Sequence, residues 1–296
     1  MKLAAHIKSL LEGYYSAEGV DVICRPVSGG DIHTCSQLDL VGFDDLPECL
    51  FVKSNSGVGG DVLRTEFESL NAINDLYSES YPEALLFEEC ENEAALIMSF
   101  HRLTSLDNDS AAQAGRALAQ QHKVTCENFG WATNNYIGLT PQSNAWSQSW
   151  VDFFRSQRLL PMLNRAKQQG LSELMVSNVE QVMSCLGGLL PHKVVPSLVH
   201  GDLWGGNLAY DRDALKPLFY DPAPYYGDRE VDLAMTRLFG ELPASFYLAY
   251  EEVWPLEPSY RHREAVYNLY HALNHVVLFG LSYESLVDSC LAKIDC

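Results

Sequence analysis

One stretch of the chain, His-Gly-Asp-Leu-Trp-Gly-Gly-Asn at residues 200–207, constrains the fold more than any other. Asn207 lies five residues after Asp202, and Asp221 lies nineteen residues after Asp202, directly behind the apolar run 218–220. Carboxylate and amide oxygens are the ligands that Mg²⁺ prefers. The stretch therefore predicts a site that requires the fold to bring Asp202, Asn207 and Asp221 together.

The same three residues match the needs of phosphoryl transfer. In kinase-type enzymes a loop Asp receives the proton of the attacked hydroxyl, an Asn five residues later binds magnesium, and a further Asp binds the bridging magnesium. Asp202 is thus predicted as the general base, with Asn207 and Asp221 as magnesium ligands. A lone Asp-x4-Asn would indicate only a turn, but here the spacing, the second Asp and flanking strands coincide.

Two short strands are predicted around this stretch. Residues 198–199 precede the loop, residues 218–220 precede Asp221, and residues 211–213 are predicted as the turn between these strands.

Length and charge set the outer limits. With 296 residues the chain can bury a large core and form two lobes. Its formal net charge is −19. A surface this acidic repels nucleic acid and anionic membranes, so neither is predicted as a partner. The charge also favours approach of a cationic substrate, although solubility alone is a sufficient reason for it.

The cysteines predict a reducing compartment. Eight are scattered along the chain without a Cys-x2-Cys pair, so a zinc ribbon or thioredoxin-type site is not supported. The N-terminus lacks the apolar core of a signal peptide, and no stretch approaches the ~20 apolar residues of a membrane helix. We therefore expect a cytoplasmic protein whose thiols are reduced. A monomer is favoured.

The first third of the chain reads as strands and one important helix. A helix is predicted over 1–15 and a strand over 20–26. Gly29 and Gly30 follow, and adjacent glycines allow a tight turn and close approach of backbone amides to phosphate. Most such pairs are plain hairpin turns, so the pair alone decides nothing.

A lysine and a glutamate are predicted to pair. The run 48–53 predicts a strand that ends at Lys53, and a helix is predicted over about 62–76. Glu66 lies three residues after Leu63 and four before Leu70, so it borders the apolar face of that helix. We therefore predict that Glu66 holds Lys53 toward the phosphates of ATP. A lysine that faces solvent is the alternative.

The rest of the chain is predicted to be mostly helical. Apolar runs at 84–88 and 94–98 predict a hairpin, and Ser99, Phe100 and His101 behind it form the predicted hinge whose backbone binds adenine. Helices are predicted over 109–122 (capped by Asp109 or Ser110), 147–160, 171–190, 231–239, 245–254 and 260–279. The pattern predicts an α+β fold of two lobes, 1–98 for ATP binding and 99–296 for catalysis and substrate binding.

These stretches together carry a family resemblance. The chain also contains Phe-Gly-Trp at 129–131, Asn-Tyr-Ile-Gly at 135–138 and Tyr-Tyr-Gly-Asp-Arg-Glu at 225–230. Over about residues 23–283 it resembles the fructosamine kinase (ketosamine kinase) family, which is similar in fold to aminoglycoside and choline phosphotransferases. His-Gly-Asp indicates only that wider superfamily, whereas Leu-Trp-Gly-Gly-Asn and the 225–230 run point to this family.

The resemblance implies a protein-kinase-like fold and an activity. ATP and Mg²⁺ are the implied cofactors, and the implied reaction phosphorylates a sugar hydroxyl of a ketosamine, the rearranged product of a sugar and an amine. In the family the phosphate enters on the third carbon, and breakdown of the ester then frees the amine, which amounts to deglycation. The implied roles agree with those predicted above, with Gly29 and Gly30 in the phosphate loop and Asp232 as a brace of the catalytic-loop backbone.

Several positions have open roles or depart from the family pattern. Trp204 offers an apolar indole face to the sugar ring or the amine-bearing chain, or else packs in the core. His33 stands where Asn is usual, and Ser99 where the hinge usually begins with an acidic residue. Asp31 replaces a redox-active cysteine of some relatives, so no dimerising disulfide is expected there. The roles of Cys24 and Cys35 are open.

A histidine pair suggests metal binding only weakly. His271 and His275 have the i, i+4 spacing of a zinc pair, but no third ligand is evident. Buried, hydrogen-bonded histidines are the expectation.

Two other classes of function are compatible with these patterns. One is a phosphotransferase that acts on an aminoglycoside, choline or another hydroxylated amine, and the other is a nucleotide-binding pseudokinase. The joint presence of Lys53, Asp202, Asn207 and Asp221 argues against the pseudokinase.

Overall fold

The computed structural model describes residues 2–15, 21–27, 32–41, 47–78 and 80–296, with side chains from Ile7 onward. Gly29 and Gly30, the predicted phosphate-loop glycines, lie outside the described residues. No helix in these ranges is long and apolar enough to cross a membrane.

The first lobe is an antiparallel sheet between two helices. Its elements are α1 (Lys2–Tyr14), β1 (Asp21–Pro26), β2 (Thr34–Val41), β3 (Cys49–Ser56), α2 (Val58–Leu76), β4 (Ala84–Cys90) and β5 (Glu93–Ser99). The strands lie in the order β1-β2-β3-β5-β4, and all neighbours are antiparallel. The predicted hairpin of β4 and β5 is thus confirmed.

Alternation along the strands decides which way Lys53 points. Val52 on β3 and Ile97 on β5 pack with Leu11 of α1, whereas Leu96 packs on the opposite face with Leu63 of α2. Since successive side chains point to opposite faces of a sheet, Lys53 faces α2. The prediction that the strand ends at Lys53 is wrong, because pairing with β2 and β5 extends β3 through three polar residues to Ser56.

The second lobe is mainly helical. Its helices are α3 (Asn108–His122), α4 (Trp150–Phe153), α5 (Leu160–Gln168), α6 (Glu173–Leu189), α7 (Glu230–Met235), α8 (Ala244–Val253), α9 (Glu264–Phe279) and α10 (Glu284–Leu291). Its strands are β6 (Leu103–Thr104), β7 (Asn135–Ile137), β8 (Thr140–Gln142), β9 (Ser197–Val199), β10 (Leu208–Asp211), β11 (Lys216–Phe219) and β12 (Tyr225–Gly227). Helix α9 is buried along most of its length.

Most predicted helices are present with shifted ends. Helix α3 is capped by Asp107 rather than by Asp109 or Ser110, since the Ser110 amide donates to the Asp107 carboxylate at 2.8 Å. The helix predicted over 147–160 begins at Trp150 and continues through a π-helical segment, Phe154–Leu159, into α5. The helix predicted over 231–239 ends at Met235.

The prediction that the turn at 211–213 lies between the strands at 198–199 and 218–220 is wrong, because a further strand stands between them. Strand β9 pairs with β12, and β11 pairs with β10, a strand that was not predicted. The turn therefore joins β10 to β11 and spans 212–215. Strand β10 has only four residues and directly follows the loop, so its apolar pattern is too short to be distinguished from loop sequence.

Two cysteines are joined, contrary to the expectation of reduced thiols. Cys185 on α6 forms a disulfide with Cys296, with 6.3 Å between their Cα atoms. Cys24 and Cys35 are both free, the first exposed and the second buried. Burial raises the pKa of the Cys35 thiol.

Candidate active site

The backbone at His200–Asp202 is fixed by close contacts. Gly201 has φ +84°, and a Cβ atom there would lie 2.0 Å from the carbonyl oxygen of Ala223, so only glycine fits. The Asp202 amide donates to Nδ1 of His200 at 3.2 Å, and Nε2 of His200 lies 3.0 Å from the carbonyl oxygen of Tyr220. His200 thus ties the loop to the segment that leads into Asp221.

Asp232 holds the backbone of the His200–Asp202 loop in place. Its carboxylate accepts hydrogen bonds from the backbone amides of His200 at 2.7 Å and Gly201 at 2.9 Å, and it lies 3.0 Å from Nε2 of His122. Burial alone would raise the pKa of Asp232, but the contacts with His122 and His200 hold it below its usual value. The predicted brace contact is confirmed.

Asp202 lies in surroundings that favour its neutral form. Burial, followed by the carboxylates of Asp221 and Asp232, raises its pKa to about 7. Nδ2 of Asn207 donates to the Asp202 backbone carbonyl at 2.8 Å and approaches its carboxylate at 3.4 Å. A carboxyl with a pKa near 7 is suited to accept a proton at neutral pH.

The β10–β11 hairpin brings Asn207 and Asp221 to the same end. Leu208, the first residue of β10, pairs with Phe219, the last residue of β11, and the Tyr220 amide donates to the Asn207 carbonyl at 3.1 Å. Because Nδ2 of Asn207 is engaged with Asp202, Oδ1 is the atom left for a cation. The side chain of Asp221 is 46% exposed. These oxygen donors fit Mg²⁺.

Lys53 bridges the two lobes. Its Nζ lies 2.6 Å from Oε1 of Glu66 and also contacts the carboxylate of Asp221. The predicted contact between Lys53 and Glu66 is therefore present. Burial alone would lower the pKa of Lys53, but the two carboxylates outweigh it and raise the pKa. Lys53 thus remains charged where the two lobes meet.

His33, one of the departures noted in the sequence, lies near this lysine. Its Nδ1 is 3.0 Å from Nδ2 of Asn55. Burial and the charge of Lys53 lower the pKa of His33 to about 4, so the ring is neutral at pH 7.

The predicted hinge is tied to both lobes through side chains. Oγ of Ser99 accepts from the Glu83 amide at 2.9 Å and lies 2.7 Å from Nε2 of His101. Nδ1 of His101 lies 2.6 Å from the carboxylate of Asp211, at the end of β10. Phe100 between them is half-buried. The side chain of Ser99 therefore has a structural partner within the hinge.

Trp204 is at the surface and not in the core. Its side chain is 37% exposed, and a Cβ atom at Gly206 would lie 2.3 Å from the indole. Gly206 therefore lets the ring lie close against the catalytic loop. The indole also meets Phe239 edge to face.

His271 was not predicted as a site residue, yet it faces Asp202. Its Nδ1 lies 4.0 Å from Oδ1 of Asp202 and has no hydrogen-bond partner among the described residues. Burial lowers its pKa to about 3, so the ring is neutral. The expected hydrogen bond is present for His275, whose Nδ1 lies 2.9 Å from the His271 carbonyl oxygen. Nothing in the spacing could indicate the contact with Asp202, because α9 is distant in sequence.

The fold and this arrangement define the class. The aminoglycoside phosphotransferase APH(4)-Ia superimposes with a TM-score of 0.62 at 15% identity, over 99% of this chain and 100% of that chain. The predicted α+β, two-lobe, protein-kinase-like fold is thereby confirmed.

Closer matches give the family. The fructosamine kinase family model matches residues 4–295. A probable ketoamine kinase of Vibrio parahaemolyticus is 37% identical over 270 residues, which are 90% of this chain and 91% of that protein. A chloroplastic protein-ribulosamine 3-kinase of Arabidopsis thaliana is 36% identical over 277 residues, 91% and 80% of the two chains.

A solved structure agrees with these relatives. A protein of Haemophilus somnus assigned as a fructosamine-3-kinase has a TM-score of 0.85 at 25% identity, over 97% of this chain and 96% of that one. The chain belongs to the fructosamine kinase family. It is therefore an ATP-dependent phosphotransferase.

Proposed function

We propose that this protein transfers the γ-phosphoryl group of ATP to a sugar hydroxyl of a ketosamine, as an early step of deglycation. One observation carries the proposal: Lys53 joins Glu66 of the first lobe to Asp221 of the second, beside a half-buried Asp202 that contacts Asn207. The names of the family relatives support the ketosamine as acceptor.

In this proposal each residue has one task. Asp202 takes the proton of the attacked hydroxyl, and Lys53, oriented by Glu66, binds phosphate. Asn207 and Asp221 would hold Mg²⁺, which would neutralise charge on the transferring phosphates. The neutral His271, 4.0 Å from the base, borders the space that the acceptor hydroxyl must enter.

The nucleotide is proposed to lie between two lobes, residues 1–98 and 99–296. Backbone groups at Ser99, Phe100 and His101 would hold the adenine, and Gly29 and Gly30 would approach the phosphates. The antiparallel sheet that ends at Ser99 supports this division.

Cytoplasmic location and a monomeric state stay predictions. A disulfide such as Cys185–Cys296 is unusual in that compartment. Cell fractionation and light scattering test the two predictions.

Trp204 is proposed to contact the acceptor rather than the nucleotide. We expect Trp204→Ala to raise KM for the ketosamine about tenfold, and KM for ATP much less, because the exposed indole face offers an apolar and cation-attracting surface. The measurement is steady-state kinetics in both substrates with a thermal melt. Trp146→Ala, at an indole that is 50% exposed and packs on Tyr226, is the control. A fall in melting temperature with both KM values moving together would contradict the assignment.

A panel of acceptors tests the function itself. ATP consumption is measured with fructosamines, ribulosamines, choline and an aminoglycoside, with identification of the phosphorylated carbon by NMR. We expect turnover of at least one ketosamine and little of the unmodified amines. Robust phosphorylation of choline or the aminoglycoside, with none of any ketosamine, would overturn the proposal and leave a fold-level likeness.

A further inference from the structure

Five aromatic rings lie in a row that begins beside the proposed base and leads away from it. The ring centroids of Trp204 and Phe239 are 6.0 Å apart, and those of Phe239 and His275 are 4.5 Å apart. The ring of Phe279 follows at 5.4 Å from His275. Tyr283 ends the row, 5.2 Å from His275 and 5.6 Å from Phe279. We call these five residues the aromatic track.

The track is assembled from separate parts of the chain. Trp204 belongs to the catalytic loop, and Phe239 to the turn behind α7. His275 and Phe279 are four residues apart on α9, so their rings lie on one face of that helix. Tyr283 lies beyond the end of the helix and contacts both rings. Convergence of three segments gives a continuous surface that sequence spacing alone would not reveal.

The track is exposed in a way that core packing does not require. Trp204 is 37%, Phe239 39% and Phe279 47% exposed. Scattered exposed rings are ordinary, but contiguous ones mark an interaction surface. Its start at Trp204, two residues after Asp202, makes it continuous with the proposed acceptor site.

The charge of the chain favours a cation, and the paired charges beside the track do not oppose one. Aromatic faces attract ammonium groups, and the chain carries a net charge of −19. The arginines of the adjoining segments are paired: Arg237 and Arg261 each form ion pairs with Glu241 and Glu264. Their charge therefore does not oppose a positively charged ligand.

We propose that the aromatic track binds the amine side of the substrate. In this arrangement the secondary ammonium of the ketosamine lies against Trp204, and the alkyl stem of a lysine runs over Phe239 and His275 to Phe279. The inference rests on the proposed function and adds a subsite for the amine beyond the sugar.

The chemistry of the substrate fits this path. Only three carbon atoms separate the oxygen on the third carbon from the amine nitrogen, so a hydroxyl held at Asp202 keeps that nitrogen near this loop, and Trp204 is two residues further along it. Lysine stems lie readily along apolar surfaces while the charged group stays in a polar or cation-binding position. A short amine would leave Phe279 and Tyr283 uncovered, so the track favours a long substituent.

Two ketosamines that share fructose and differ in the amine test the proposal. One derives from methylamine and the other from the side chain of Nα-acetyl-lysine amide. Their KM values are compared, and their Kd values are measured by calorimetry without ATP. Phe279→Ala is the test variant, because Phe279 is the last ring that the lysine stem is proposed to reach. Leu248→Ala on α8, at a side chain that is 67% exposed, is the control.

We expect Phe279→Ala to raise KM and Kd for the lysine adduct about fivefold more than for the methylamine adduct, since only the long stem reaches that ring. The control should keep the wild-type ratio. An unchanged ratio in Phe279→Ala, or the same change in the control, would overturn the subsite.

The two hypotheses fail separately. If wild-type protein phosphorylates neither ketosamine, the proposed function fails, while the calorimetric ratio still decides whether the track binds an alkyl amine. A concentration-dependent dimer in size-exclusion chromatography that Phe279→Ala abolishes would instead assign the surface to a second copy of the chain, and would overturn the proposal.

Discussion

Replacement of Asp202 by asparagine is expected to lower kcat at least about 10²-fold, because asparagine cannot accept the proton of the attacked hydroxyl. ATP binding and the fold should persist, since the brace from Asp232 acts on the backbone of His200 and Gly201 and not on the Asp202 side chain. Steady-state kinetics, a nucleotide-binding titration and a thermal melt measure the three properties. An unchanged rate in a folded variant would remove Asp202 from the mechanism.

The pH dependence gives a second test of the same residue. Asp202 must be ionised to act as a base, and burial with the charges of Asp221 and Asp232 raises its pKa to about 7. We therefore expect kcat/KM of the wild type to fall about tenfold per pH unit below about pH 7, because kcat/KM reports ionisations of the free enzyme. A flat profile between pH 6 and 8 would contradict this expectation.

Replacement of Asp221 by asparagine is the second change with a large expected effect. It removes the charge that contacts Lys53 and that would hold Mg²⁺, and we expect a loss of about 10²–10³-fold in kcat, the range for one electrostatic stabiliser. The fold should persist, because Asp221 is half-exposed and its φ of 57° suits asparagine. The charge of Asp221 is one cause of the raised pKa of Asp202, so its removal should also move the acid limb of the kcat/KM profile to lower pH.

A nearby residue supplies the matched control. Asp213 lies at the turn of the same hairpin and its side chain is 65% exposed, so Asp213→Asn should change neither kcat nor the pH of the acid limb. Wild-type turnover should stop in EDTA and return with excess Mg²⁺. Full turnover in EDTA would contradict the assignment of Asn207 and Asp221 as metal ligands.

The parts of the site that sequence predicts are those set by local periodicity. Glu66 could be predicted to meet Lys53 because helix periodicity places it beside Leu63 and Leu70, and the contact is present at 2.6 Å. The face of Lys53 follows in the same way from strand alternation. Both arguments need only the residues of one regular element and its neighbour.

The parts that sequence did not predict depend on contacts between distant segments. Strand β10 is defined by pairing with β11 and β6, and not by its four residues. The approach of His271 to Asp202 and the link from His101 to Asp211 exist only once α9 and the β10–β11 hairpin are packed. Cysteine pairing likewise cannot be derived from spacing alone, and here the expectation of reduced thiols was wrong for Cys185 and Cys296.

The bond between Cys185 and Cys296 gives the chain a ring topology. The two cysteines are 111 positions apart, and the catalytic loop, the β10–β11 hairpin and the aromatic track all lie between them. A single cut of the backbone inside the ring would leave the pieces covalently joined. In the chain-entropy model, closing a loop of about 100 residues raises the free energy of unfolding by about 4–5 kcal/mol, because the cross-link lowers the entropy of the unfolded chain. The disulfide therefore stabilises the folded form of the segment that contains Asp202, Asn207 and Asp221, because it restricts that segment in the unfolded chain.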